Sequence, residues 1–195
     1  MSEQSTPAEY FDHLYAADPD PWHYASSSYE YHKYAATLRA LPRTRFRRAL
    51  EVGCSIGVFS RLLARKCDTL LAVDSSEAAL VRARETCIRR KNIAFERMCI
   101  PAEWPRTSFD LVVISEVLYY LSPHDIAATA HKTLKRLDAY GTVALVHWLG
   151  PTGVAQTGDE AVRRFLSHTR RDLTINLHRR TPRYRLDILV RSNDA

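Results

Sequence analysis

The chain has 195 residues, of which 46% are hydrophobic and 26% charged, an ordinary globular balance that speaks against disorder and against a membrane-embedded protein. That length suits one domain with a sizeable core and is too short for two ordinary enzyme domains. Lys+Arg 28 against Asp+Glu 22 gives a net charge of +6, but the basic residues cluster at 43–48, 82–91 and 163–191, where they alternate with apolar ones as on solvated amphipathic faces.

In chain order, the polar start at 1–9 lacks the basic then apolar layout of a secretory signal. Residues 6–17 and 27–41 read as helices, separated by Asp18-Pro19-Asp20-Pro21, where each proline disfavours helix in the residue before it. Ser26 or Ser27 suits the N-cap of the second. From Arg48 onward short apolar runs at 49–52, 69–73, 93–98, 109–115 and 142–148 alternate with helix-spaced segments at 58–66, 78–90 and 123–137. This rhythm implies βαβ units with right-handed crossovers and a mostly parallel sheet between two helical layers. After a helix at 159–168, period-two alternation over 173–179 and 184–191 around Thr181-Pro182 predicts an antiparallel hairpin.

The expected architecture is therefore an α/β three-layer sandwich. It forms one domain over 1–195, with a helical N-terminal lid at 1–42 and a Rossmann-like core at 48–195. No apolar run approaches the roughly 20 residues that span a bilayer, so a cytoplasmic location is expected. Cys54, Cys67, Cys87 and Cys99 form no Cys-x-x-Cys pair, which fits reduced thiols and no metal site.

The main chemical signal is Leu50-Glu51-Val52-Gly53-Cys54-Ser55-Ile56-Gly57 at the end of the first strand. Gly53 and Gly57 leave out the Cβ atoms that would keep a small ligand from the backbone, and the next helix begins with exposed N–H donors. A dinucleotide fingerprint wants a second glycine where this chain has Ser55. Asp74, with Ser75 beside it, closes the second strand about 20 residues on, where an acid can accept from both hydroxyls of a ribose. Its alternative role is to cap the following helix, which Ser75 or Ser76 could also do. Glu51, beneath the loop, either holds the loop or receives a ligand's ammonium group.

With these two signals the chain resembles the class I S-adenosylmethionine-dependent methyltransferases over nearly all of 51–191. Asp20-Pro21-Trp22, Ser28-Tyr29-Glu30, 33–38, 51–57, 71–79, 115–121, His147-Trp148 and 157–160 look more narrowly like the nodulation N-methyltransferase (NodS) family. The resemblance implies a seven-stranded sheet ending in an antiparallel hairpin, S-adenosylmethionine as methyl donor and S-adenosylhomocysteine as product. It also implies an acceptor: the free amine of the non-reducing glucosamine in a deacetylated chito-oligosaccharide, on the route to lipochito-oligosaccharide signals. The sequence departs from the class at Cys99, where an acid usually receives the adenine amine. Adenine is then expected on the backbone of Cys99 and Ile100, packed by Met98 and Trp104. Asp138-Ala139-Tyr140-Gly141 replaces a frequent Pro-Gly-Gly and is expected to alter a turn.

Methyl transfer from a sulfonium is an in-line displacement, so few catalytic groups are needed beyond those that position a neutral amine and take its proton. Candidates at the carboxyl ends of the fourth and fifth strands are Glu116, Tyr119, Tyr120 and His147, with Ser115 lining the cofactor side. Glu116 either meets the acceptor amine or is an acid at a helix start. One of Tyr119 and Tyr120 offers a stacking face while the other packs in the core, and His147 is either a base or a core histidine. Trp22, Tyr29 and Lys33 are placed over the methionine portion, with Lys33 facing its carboxylate or else on a solvated helix face. A nucleic-acid methyltransferase is disfavoured because Ser115-Glu116-Val117-Leu118 lacks the Asp/Asn-Pro-Pro-aromatic pattern. A nicotinamide oxidoreductase is disfavoured by the glycine spacing, and a ligand-binding relative without turnover remains the non-enzymatic alternative.

Overall fold

The computed structural model describes residues 4–154 and 156–191, so the first three residues of the polar start lie outside it. Seven strands form one sheet in the order β3-β2-β1-β4-β5-β7-β6. These are β1 Phe46–Val52, β2 Cys67–Asp74, β3 Ile93–Arg97, β4 Phe109–Ser115, β5 Leu137–Trp148, β6 Leu173–Arg180 and β7 Tyr184–Arg191. The first five run parallel, and the β6–β7 hairpin joins antiparallel through β7 against β5. β4, the central strand, is buried on both faces, which is why residues 111–114 are a continuous apolar run and not an alternating one.

The helices are α1 Ala8–Ala17, α2 Ser28–Ala40, α3 Val58–Leu63, α4 Glu77–Thr86, α5 Pro123–Arg136 and α6 Gly158–Thr169. Four of the six start on side chains that accept the free N–H groups of the first turn. Ser27 accepts from Glu30, Ser76 from Ala79 and Ser122 from Asp125, and Thr157 with Glu160 makes a capping box. Helix burial follows period 3.6, so α6 turns Ala161, Val162 and Phe165 inward with Ile126 and Ala130 of α5. They pack on Val112, Ile114 and Leu145, while Leu111, Val113 and Val146 face the other layer, with Tyr34, Phe59 and Leu80. Each such large apolar side chain contributes about 1.5–3 kcal/mol on burial.

Two local expectations change. The helix at 78–90 stops at Thr86, and the chain turns through Cys87 and Arg90 to reach β3. Residues 138–141 are not a turn but an irregularity within β5. Pairing jumps from Phe109↔Leu137 to Leu111↔Thr142, and Tyr140 takes φ 60, so the extra residues bulge while both ends stay on the ladder. Because the chain steps outward from β1 to β3 and then returns to place β4 on the other side of β1, a crevice opens at the carboxyl ends of β1 and β4.

Candidate functional site

A cavity of about 820 Å3, its open mouth included, occupies that crevice. Gly53 and Ser55 after β1, Asp74 and Ser75 at the end of β2, and Ser115 and Glu116 at the end of β4 all line it. The loop is shaped by backbone bonds: the N–H groups of Gly53 and Cys54 both donate to Val73 O, at 2.9 and 3.1 Å. Asp74 stitches it to β2, with Oδ2 accepting from Ser55 N at 2.8 Å and Oδ1 from Ser76 N at 3.1 Å. Burial pushes this carboxyl up, and the backbone N–H groups of Ser76, Ser55 and Ser75 only partly offset it. Each oxygen keeps a further lone pair for a ligand. Ser76, not Asp74, accepts the α4 cap bond through its side chain. Cys54 and Gly57 stand outside the cavity, Cys54 buried beneath the loop and Gly57 at the N-cap of α3.

Glu51 is 1% exposed and its Oε2 has no hydrogen-bond partner. It faces a small void under the loop that Gly53, Ser55 and Glu116 also line. Burial, partly offset by the Ser60 hydroxyl and reinforced by Asp74, raises its carboxyl from 4.5 to about 8. The folded state therefore holds a proton that the unfolded chain releases, and stability from this group is lost as pH rises from the unfolded value to about 8. Glu51→Gln removes that loss. In thermal unfolding of the ligand-free protein the variant should melt above wild type at pH 9, by roughly 5 °C more than at pH 5. A pH-independent difference would assign Glu51 an ordinary carboxyl.

At the third strand Met98, Cys99 and Ile100 line the cavity. The Cys99 N–H is already engaged, donating to Glu103 Oε2 at 2.7 Å, so that backbone donor is not free for adenine as expected. Trp104 is partly buried against the core cluster and lies outside the cavity lining. Phe11 and Tyr15 of α1, which the sequence reading passed over, cover the mouth, and the Tyr15 hydroxyl bonds Ser55 Oγ at 2.5 Å. Their signal was an aromatic pair at i, i+4 on the first helix.

A second cavity of about 720 Å3 adjoins the first and shares Trp22, Tyr24, Glu116 and Tyr120 with it. Tyr29, Tyr119 and Trp148 complete an aromatic wall, and Glu30 and Lys33 line the chamber together with Glu116. Glu116 has φ 57 and receives hydrogen bonds on both oxygens: Lys33 Nζ on Oε1 at 2.6 Å, Tyr119 Oη and Trp148 N on Oε2 at 2.9 and 2.8 Å. Burial, the largest single influence, would raise its carboxyl; the Lys33 ammonium, together with His147 and the Trp148 N–H, outweighs that and holds it below the usual value. Tyr119 is the tyrosine set in the core and Tyr120 the one that faces both cavities.

Two expected roles do not match this geometry. Lys33 does not point at a cofactor carboxylate, because its ammonium lies between Glu30 and Glu116. His147 lies outside both cavities: it is fully buried, and its Nε2 accepts from Leu118 N at 3.2 Å. Burial lowers its pKa to about 4, so the ring is neutral and supports the turn at 118–120 that carries the two tyrosines. Among the described residues no group of His, Cys, Asp and Glu is placed to hold a metal ion, and no helix is long and apolar enough to cross a membrane.

Comparison with known proteins follows this geometry. The family model for Nodulation protein S (NodS) matches residues 8–143. Nodulation protein S of Bradyrhizobium diazoefficiens is 38% identical over 103 residues, 52% of this chain and 49% of that protein. The chain spans about half the length of the curated relatives it matches. The crystal structure of N-methyltransferase NodS from Bradyrhizobium japonicum WM9 with S-adenosyl-L-homocysteine superposes with a TM-score of 0.82 at 22% identity, covering 95% of this chain and 98% of that one, a likeness of fold. A putative methyltransferase from Pseudomonas syringae gives 0.73 at 32% identity, covering 85% of this chain and 100% of that one.

Proposed function

The chain belongs to the Nodulation protein S family, and from that premise we propose that it is an S-adenosylmethionine-dependent N-methyltransferase acting on the free amine of the non-reducing glucosamine of a deacetylated chito-oligosaccharide. The observation that carries this reading is the shared wall of the two cavities. A nucleoside-sized crevice bearing Asp74 opens onto an aromatic chamber, and the carboxylate of Glu116 stands at the junction.

The residues present fit the donor. Asp74 has lone pairs left for two ribose hydroxyls, Met98 and Ile100 offer apolar flanks to adenine, and the orphan Oε2 of Glu51 suits an ammonium group. S-adenosylmethionine supplies a methyl group already activated on sulfur. What the chain adds is position and dryness. Phe11 and Tyr15 of α1 line the crevice and would help keep water from it once the donor is bound. Trp22, Tyr29 and Trp148 present apolar ring faces to a pyranose, and Tyr120 spans both chambers. Glu116, kept ionised, accepts a hydrogen bond from the acceptor amine and orients its lone pair. Two carboxylates against one ammonium in an aromatic chamber favour an aminosugar over a phosphodiester, so the reading includes a small-molecule acceptor and no nucleic acid, and it takes the setting to be cytoplasmic.

The test is incubation with labelled S-adenosylmethionine and paired chito-oligosaccharides, one fully acetylated and one deacetylated at the non-reducing end. Label should enter only the second; label in both or in neither contradicts the reading. In the same assay Glu116→Gln should lower turnover roughly tenfold or more while S-adenosylhomocysteine affinity stays within about threefold. Equal losses in both would move Glu116 to the cofactor.

A further inference from the structure

Lys33 is an ammonium with almost no access to water, and its side chain is 2% exposed. Ser27 starts α2 so that Glu30 and Lys33 fall one turn apart on its buried face. Nζ lies 2.6 Å from Glu116 Oε1, 3.0 Å from Glu30 Oε1 and 2.9 Å from Glu30 Oε2. One cation thus serves two carboxylates in a buried triad, and burying such charges is costly unless they do something packing alone would not.

The surroundings of Glu116 make the cation's role specific. From the 118–120 turn comes the Tyr119 hydroxyl, and from β5 come the Trp148 N–H and His147, which burial keeps neutral near neutral pH. Tyr24, Tyr29, Tyr34 and Tyr120 approach with hydroxyls that burial pushes up, and so stay uncharged. Arg183 lies over the outer face of Tyr29, and Arg185 with Asp187 acts on His147. Lys33 is therefore the cation in direct contact with the Glu116 carboxylate.

We propose that Lys33 is a positioning residue of the transfer reaction: its ammonium keeps Glu116 ionised and aimed at the junction of the two cavities, with Glu30 as the competing carboxylate. The inference rests on Glu116 meeting the acceptor amine. The two acids respond unequally to the shared cation. Burial pushes Glu30 up despite Lys33, whereas at Glu116 Lys33, the largest of the opposing influences, together with His147 and the Trp148 N–H brings the carboxyl below its usual value. A fixed anion at the junction selects an acceptor group that can donate a hydrogen bond and still hold a free lone pair for the methyl group, as an amine does. Substituting the cation should cost acceptor recognition and leave the adenosyl crevice intact.

The experiment compares the full chain with Lys33→Met, Lys33→Arg and Glu30→Gln. Side-chain carboxyl carbon-13 NMR follows the titration of Glu116, whose resonance is identified by its loss in Glu116→Gln. In parallel, kcat/KM for the deacetylated oligosaccharide is measured against pH, and S-adenosylhomocysteine affinity by calorimetry. Lys33→Met should raise the Glu116 titration by about two units or more, Lys33→Arg should keep it low, and Glu30→Gln should lower it further. At neutral pH kcat/KM should fall roughly tenfold in Lys33→Met and partly recover as pH rises, with cofactor affinity within about threefold of wild type. Shifts of the same sign in Lys33→Met and Glu30→Gln overturn the proposal. If Lys33→Met does not fold, the downward shift in Glu30→Gln is decisive, and its absence overturns the proposal. A wild type inactive on every amine acceptor overturns the proposed function and with it a role for Lys33 in transfer, whereas an active wild type with Glu116 unmoved in Lys33→Met overturns Lys33 alone.

Discussion

Asp74→Ala is expected to weaken S-adenosylhomocysteine binding by about 1.5–3 kcal/mol, roughly ten- to 150-fold, through loss of charge-assisted hydrogen bonds. The geometry adds a second effect. The carboxylate accepts from Ser55 N and Ser76 N, so alanine leaves two backbone donors without their acceptor and loosens the loop from β2. Asp74→Asn separates the two. Its one remaining acceptor oxygen can keep the Ser55 bond, but the charge is gone. The asparagine variant should therefore lose affinity with a melting temperature close to wild type, whereas the alanine variant should lose both. Calorimetry and thermal unfolding on the same samples read the two losses apart. Unchanged affinity in both variants would remove Asp74 from the site.

The parts of this site that were legible in the sequence are those fixed by strand ends. β4 is apolar from Leu111 to Ile114 because both its faces are covered, so its end at Ser115 could be read, and with it the position of Glu116. Gly53 and Asp74 were legible for the same reason, each closing a run that only a buried parallel strand explains. Lys33 was not, because its meaning lies in partners, one of them 83 residues away, and α2 carries too weak an apolar stripe to say which face turns inward. His147 alternates with apolar neighbours whether it faces a cleft or a core, and only the turn at 118–120 closing over it decides. Residues 138–141 have the composition of a turn, yet the ladder resumes beyond them, which depends on β4 and not on the segment itself. Glu103 escaped notice because its bond to Cys99 N closes a local loop with no periodic signature.

Gly53→Ala should be the most damaging single change at the site, lowering stability by about 2–4 kcal/mol. Gly53 has φ +81, a left-handed conformation that a side chain opposes, and the Cβ would lie 2.3 Å from Val117 Cγ2 and 2.9 Å from Ser115 O. The valine can shift. The carbonyl cannot, because it belongs to the end of β4, whose pairing with β5 runs to Ser115↔Val146, and the Glu116 N–H continues it by donating to Val146 O. Relief must therefore come from parting β1 and β4 where the crevice opens, which displaces both walls of the cofactor cavity at once. The melting temperature should fall by roughly 5–15 °C, and S-adenosylhomocysteine binding should weaken in the fraction that stays folded. Adding Val117→Ala to Gly53→Ala separates the contributions: it should restore the part of the loss due to the valine methyl and leave the part due to φ and Ser115 O. A single variant that melts within about 1 °C of wild type would mean that the loop does not approach β4 this closely.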